Sequence, residues 1–305
     1  MTTKFIAKAR QLGMNPNECN WFQFFAQETW DRIGFARTRK GLKIFETTIT
    51  QNLIFEYQSS KELYEPMMRR TWGIDVKESV NEKTNGNDIE LYIDINGTFY
   101  FFAMQAKIIN HEGFKRSGML DGNYRYISHQ VGQINQIDLL IDYAKSKGGI
   151  PLYLLYNYVK NNFAKNNLCN VDYEIEQYGC SVINADYIRR QFLNVGDIWT
   201  VPKFSDLHPS PALPWFVIAC CFMQKDIDQV LKMLGLIDFN ASSLTSYNLG
   251  MLLNDKNWTV LQPFKEIEEI TSQTRDNFSE IYDQIEFRPK YRCILSPRLS
   301  YEIKR

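Results

Sequence analysis

The chain has 305 residues, of which 44% are hydrophobic and 23% are charged, and both values are ordinary for a globular protein. The 35 Lys and Arg residues balance the 35 Asp and Glu residues, which excludes a polybasic protein but allows a local nucleic-acid-binding patch. No run approaches the ~20 apolar residues that span a bilayer, and the first residues lack the apolar core of a secretory signal. We therefore expect no membrane partner.

Cysteine and histidine usage narrows the chemistry that the chain can perform. The six cysteines are scattered without a CxxC pair, so we expect reduced thiols and a cytoplasmic location. The three histidines leave little material for a histidine-based metal site or catalytic triad. Any metal site is therefore expected to depend on carboxylates.

Helix and strand patterns alternate in a first block, residues 1–200. Apolar residues at three- and four-residue spacing predict a helix over 19–36. A basic connector follows, and then a second predicted helix over 44–58. Residues 72–80 are predicted to form a strand.

A hairpin is the strongest local prediction. Residues 88–95 alternate between apolar and polar side chains, Asn96-Gly97 favours a tight turn, and 98–109 form an apolar returning strand. A long helix is predicted over 127–148, followed by a buried strand over 151–159.

The predicted fold is α/β, with a mixed central sheet flanked by helices. A further strand over 179–185 and a short helix complete the first block. The second block, residues 201–305, is expected to be a mostly helical C-terminal region or subdomain.

Four polar residues on the hairpin are the candidates for chemistry. Asp88 and Glu90 lie two apart on one strand, and Gln105 and Lys107 lie two apart on the next, so each pair shares a face. Acidic and amide oxygens beside a lysine suit metal-assisted phosphodiester hydrolysis, because Mg²⁺ prefers oxygen ligands and lowers the pKa of bound water. Glu46, in the second helix, is a further candidate ligand.

The connector before Glu46 is basic. It contains Arg37, Arg39, Lys40 and Lys43. These side chains are expected either to contact nucleic-acid phosphates or to be a solvated connector.

Gly86-x-Asp88 followed by Gln105-x-Lys107 resembles the PD-(D/E)XK nuclease superfamily, in the Gln-x-Lys variant typical of Mrr-type restriction endonucleases. The predicted element order is similar to the αβββαβ core of that superfamily. The resemblance implies that Asp88, Gln105 and Glu46 bind Mg²⁺ or Mn²⁺ and that Lys107 is the catalytic lysine. It also favours Gln136, in the helix after the lysine strand, as a site residue.

A wider set of segments resembles a largely uncharacterised bacterial family with this core. They are Glu46 to Thr50, Gln136-Ile-Asp-Leu-Leu, Pro151 to Asn157, Leu213-Pro-Trp and Cys220-Cys221. The resemblance to Mrr-type enzymes, and not this wider one, implies DNA hydrolysis in bacterial restriction or anti-phage defence, with a homodimer or a defence-system partner.

Gln105 departs from the commoner superfamily pattern because it replaces a carboxylate. Glu90 is a candidate for the missing charge, and this hypothesis predicts that Glu90→Gln abolishes cleavage about as fully as Asp88→Asn. Less specific interpretations stay open: Asp88 as a turn residue, Lys107 as the ion-pair partner of Glu90 or Asp88, and Glu46 as a solvated helix residue. At the level of function, the alternatives are a catalytically inactive nucleic-acid-binding or complex-forming subunit and an RNA-cleaving toxin.

Overall fold

The computed structural model of the chain describes eleven segments, to which all structural statements refer. They are residues 4–11, 17–39, 42–64, 74–79, 89–110, 122–131, 133–160, 165–193, 199–236, 239–260 and 289–296.

The α-helices, numbered in chain order, are α1 (Lys4–Gln11), α2 (Glu18–Thr38), α3 (Glu46–Tyr64), α4 (Gln136–Ser146), α5 (Ala185–Phe192), α6 (Phe204–Leu207), α7 (Val217–Cys220), α8 (Ile227–Met233) and α9 (Leu249–Leu253). The strands are β1 (Ile74–Ser79), β2 (Ile89–Ile95), β3 (Thr98–Ile108), β4 (Gln130–Val131), β5 (Ile134–Asn135), β6 (Ile150–Tyr156), β7 (Asn166–Leu168), β8 (Val171–Tyr173), β9 (Cys180–Asn184), β10 (Leu213–Pro214), β11 (Ser246–Tyr247), β12 (Trp258–Val260) and β13 (Tyr291–Leu295). Among these helices, none combines the length and the hydropathy that a membrane span requires.

A mixed central sheet organises the chain, as predicted. Its strand order among the described residues is β10-β9-β6-β3-β2-β13-β1-β12, and β11 pairs with β3. β3 runs parallel to β6 and β2 parallel to β13, while the other neighbours are antiparallel. Asn96 and Gly97 both have positive φ, which is the backbone that a two-residue turn between twisted strands requires.

Helices cover both faces of the sheet. Glu90, Ala103, Gln105 and Lys107 share one face, because Glu90 pairs with Ala103 and side chains alternate along a strand. α4 covers this face, where the Phe101 and Tyr143 ring centroids are 6.0 Å apart. α2 and α3 cover the other face.

Most predicted elements are confirmed to within a few residues, but the helix over 127–148 is wrong at its start. Residues 125–128 form a 3-10 turn, β4 and β5 form a small hairpin, and α4 begins only at Gln136. The Gln136 amide donates to the His129 carbonyl and closes the hairpin. As a result, Gln136 occupies the first turn of α4, where its side chain can reach the sheet.

The C-terminal region contributes strands to the same sheet. β13 lies between β1 and β2, so these two strands, consecutive in the chain, are not neighbours in the sheet. β10, β11 and β12 add to the sheet elsewhere. The described part beyond residue 200 is a mixture of short helices and strands, and the helix content of residues 261–288 and 297–305 lies outside the described residues.

Four cysteines are paired, which makes the expectation of reduced thiols wrong for them. Cys19 is bonded to Cys220 and Cys169 to Cys221. Scattered spacing did not predict these pairs, because folding brings together residues 201 and 52 positions apart. Cys180 and Cys293 are not part of either disulfide.

Candidate functional site

Lys107 lies on the central strand β3 and is almost fully buried. Its Nζ donates to Gln136 Oε1 on α4 at 2.8 Å. None of the described carboxylates forms an ion pair with Lys107. Burying an ammonium group without a counter-charge destabilises the folded state. We therefore infer that Lys107 has a role other than stabilising the fold.

Gln105 lies two residues before Lys107 on the same face and is also buried. Its side-chain oxygen, Oε1, accepts no hydrogen bond from any residue that the structure describes. An unsatisfied buried carbonyl oxygen normally costs about 1–3 kcal/mol. A cation or a donor from a ligand would satisfy this oxygen.

Glu46 begins α3 at the same end of the sheet. Thr50, one turn later, accepts or donates a 2.8 Å hydrogen bond with the Tyr156 hydroxyl. Burial raises the pKa of Tyr156 well above its usual value, and the charges of neighbouring groups, Glu46 among them, raise it further. Tyr156 pairs with Ile108, so Glu46 approaches the end of β3 from the face opposite Lys107.

The described members of the basic connector lie beside this end of the sheet. Arg37 donates through Nη2 to the carbonyl of Ile109, directly after β3. Partial desolvation of the guanidinium lowers the pKa of Arg37 to about 10, which leaves it charged at neutral pH. Arg39 and Lys43 are exposed.

Two of the predicted site residues, Asp88 and Lys40, lie outside the described residues. Asp88 immediately precedes Ile89, the first residue of β2, whose partner on β3 is Met104. The role of Asp88 as a metal ligand therefore stays a prediction from the sequence.

Glu90 is placed apart from Lys107, which corrects the expectation that its carboxylate supplies charge to the site. Its partner Ala103 is four residues from Lys107, or roughly 13 Å along an extended strand. Oε2 accepts from Arg292 Nε and Nη2 at 2.7 and 2.6 Å. Oε1 accepts from Lys147 at 3.0 Å and from the Tyr143 hydroxyl.

Arg292 was not among the residues predicted from the sequence, yet it is buried opposite Glu90 on β13. Its guanidinium also binds Asp255 at 2.8 Å and lies 4.3 Å from the Trp258 ring centroid. Burial opposes the charge, but Glu90 and the other facing groups together outweigh it and raise the pKa of Arg292. The sequence feature that could have indicated a buried arginine is the single charged residue in the strand segment Tyr-Arg-Cys-Ile-Leu.

The described residues offer part of a metal site. Within the described segments, no three His, Cys, Asp or Glu side chains are close enough to hold a metal ion. The unsatisfied Gln105 oxygen fits a hard cation, which takes amide as well as carboxylate oxygens. Asp88 and Glu46 would have to supply the charge.

A second polar cluster is closed to solvent. His208 Nδ1 donates to the Phe204 carbonyl at 3.0 Å. A neutral imidazole has one donor nitrogen and one acceptor nitrogen, so Ser181 Oγ donates to Nε2 at 2.8 Å. Asn157 Nδ2 donates to Ser181 Oγ at 3.0 Å. All three side chains are buried, so the cluster satisfies polar groups in the core and is not an accessible nucleophile.

Burial of His208 predicts a loss of stability in acid. Burial lowers the pKa of His208 to about 3, whereas an unfolded histidine has a pKa of about 6.5. Between these values the unfolded chain binds a proton that the folded chain does not, so the free energy of unfolding falls as the pH decreases. From pH 7 to pH 5 we expect a loss of about 2 kcal/mol from this residue, measured by urea unfolding.

Two glutamine variants separate this effect from general acid sensitivity. His208→Gln should lack this part of the pH dependence, and His129→Gln, which changes an exposed histidine, should retain it. Equal pH dependence in the wild type and His208→Gln would contradict the assignment.

The chain belongs to a family of unknown function, DUF6615, whose model matches residues 18–286. Comparisons with curated proteins and with solved structures gave no match.

Proposed function

We propose that this chain is a metal-dependent nuclease that hydrolyses phosphodiester bonds of DNA, in bacterial restriction or anti-phage defence. The observation that carries the proposal is the buried Lys107 ammonium group, held by Gln136 and lacking a described carboxylate partner. A phosphate group would provide the missing negative charge. The resemblance to PD-(D/E)XK enzymes supplies the reaction class and the setting.

In this proposal each side chain has a separate task. Lys107 contacts the scissile phosphate and stabilises the negative charge that develops on it. Gln136 orients the ammonium group through its 2.8 Å hydrogen bond. Arg37, Arg39, Lys40 and Lys43 contact phosphates along the strand.

Asp88, Glu46 and Gln105 are the residues that would hold Mg²⁺ or Mn²⁺. Because Glu46 approaches β3 from the face opposite Gln105, its carboxylate would have to reach the ion around the end of the strand. When bound, the metal supplies a water of lowered pKa and neutralises charge on the phosphate. The Gln105 amide adds an oxygen without adding charge, so the two carboxylates set the charge of the site.

We propose a cytoplasmic location. We also propose a homodimer or a defence-system partner, because two active sites in one assembly can each cut one strand of a DNA duplex. In the cytoplasm most thiols are kept reduced. The disulfides at Cys220 and Cys221 would persist there through their burial.

Cleavage of supercoiled plasmid tests the function. We expect nicked or linear product with Mg²⁺ or Mn²⁺, none with EDTA, and a loss of about 10²-fold or more in Asp88→Asn, since removing one group that stabilises the transition state has effects of that size. Undiminished cleavage in EDTA or in Asp88→Asn would contradict the proposal. Cleavage of RNA with DNA left intact would instead favour the RNA-cleaving alternative.

A catalytically inactive nucleic-acid-binding subunit is the second candidate. It is favoured by the neutral Gln105 and by the lack of an acidic metal cluster among the described side chains. DNA binding without cleavage, in either metal, would support it.

A further inference from the structure

An open groove of about 430 Å³ lies between the second half of α2 and residues 42–44. This volume is within the range of about 300–1,000 Å³ that small-molecule sites occupy. Phe35, Leu42 and Ile44 form its apolar lining. We call this site the α2 groove.

Aromatic and aliphatic side chains are presented to solvent in and beside the α2 groove. Phe35 is 54% exposed and Leu42 is 49% exposed. Phe45, which follows the groove segment and precedes Glu46, is 60% exposed. Exposed apolar surface concentrated in one place indicates a recognition site.

Positive charge surrounds the Phe35 end of the α2 groove. The Arg39 guanidinium lies 4.6 Å from the Phe35 ring centroid, and Lys43 lines the groove. Glu28 and Asp31 lie at the other end of the lining, about one to two turns earlier in α2, and Arg32 there is 3.8 Å from Glu28, which leaves that end with one net negative charge. This polarity would direct an anionic backbone towards Arg39 and Lys43 and away from the acids.

One connection joins the α2 groove to the candidate site. Ile44, in its lining, is two residues before Glu46. Arg37, two residues after Phe35, lies on the other side of α2 and donates to the carbonyl that follows β3, so α2 itself stands between the groove and the end of β3. A nucleotide in the groove would therefore lie beside Glu46, with its chain leading towards the end of the sheet.

We propose that the α2 groove binds an unpaired nucleobase of a single-stranded nucleic acid, which stacks on Phe35 while its neighbouring phosphates meet Arg39 and Lys43. This inference rests on the proposed function and narrows its substrate to nucleic acid with unpaired bases, which includes a locally opened stretch of a supercoiled plasmid. A base is available for stacking only when it is outside a duplex. Aromatic platforms beside cationic side chains are how single strands are bound without sequence preference.

Binding in EDTA tests the groove without cleavage. Fluorescence anisotropy would compare an oligothymidine of about 20 nucleotides, a duplex of equal length and an abasic strand with the same phosphates. The oligothymidine should bind more tightly than both. Phe35→Ala should weaken its binding about 10-fold, and Phe55→Ala, which removes a 63% exposed aromatic from α3, should not.

Equal affinity for the abasic strand and the oligothymidine, or unchanged binding in Phe35→Ala, would overturn the groove assignment. So would a change from dimer to monomer in Phe35→Ala, measured by sedimentation, because the groove would then be a self-association surface. Plasmid cleavage by the wild type decides the proposed function separately. If the wild type cleaves plasmid but its binding does not depend on bases, the groove proposal is contradicted and the proposed function is supported.

Discussion

Replacing Lys107 with methionine is expected to lower the rate of metal-dependent cleavage by about 10²–10³-fold. Methionine keeps an unbranched side chain in the buried space of β3 but removes the ammonium group. Because that group has no described carboxylate partner, its removal also ends a desolvation penalty. We therefore expect lost activity together with an unchanged or raised unfolding temperature, measured by single-turnover cleavage and by thermal melting.

Matched variants make this result specific. Lys145→Met removes an exposed positive charge from α4 and should leave the cleavage rate unchanged. Gln136→Ala should lower the rate by about 10- to 100-fold, because a hydrogen bond to a charged group contributes about 1.5–3 kcal/mol. A cleavage rate in Lys107→Met within about threefold of the wild type would show that the ammonium group does not act on the phosphate.

Glu90→Gln is expected to destabilise the fold by about 3 kcal/mol, because Arg292 loses its buried counter-charge and retains only the partly exposed Asp255. Arg292→Met should have an effect of similar size. The double variant should lose less than the sum of the two, since the partners act as one unit. Urea unfolding of the four proteins gives these values.

The same series separates two roles for Glu90. A structural role predicts that activity falls only as far as the folded fraction falls, whereas a place in the metal shell predicts lost activity in a stable protein. Glu174→Gln is the matched control: this glutamate forms an exposed 3.1 Å pair with Lys165 and should change stability by less than about 1 kcal/mol. A stable Glu90→Gln protein would contradict the structural assignment.

Two placements predicted from the sequence are present in the structure. The two-residue period placed Gln105 and Lys107 on one face of β3, and the structure has them there. The resemblance favoured Gln136, and the structure brings Gln136 to Lys107. The start of α4 could not be predicted, because the apolar spacing before Gln136 is compatible with a helix. The structure instead forms a small hairpin there.

Local pattern by itself determined the β2–β3 hairpin, its turn and the faces of its side chains, since these depend only on neighbours along the chain. The tertiary structure decided which strand lies beside β2. By placing β13 there, it set Arg292 against Glu90 across 202 residues and took Glu90 out of the site. It also paired Cys19 with Cys220. Such pairings follow from strand order and helix packing, which the spacing of residues in one segment does not encode.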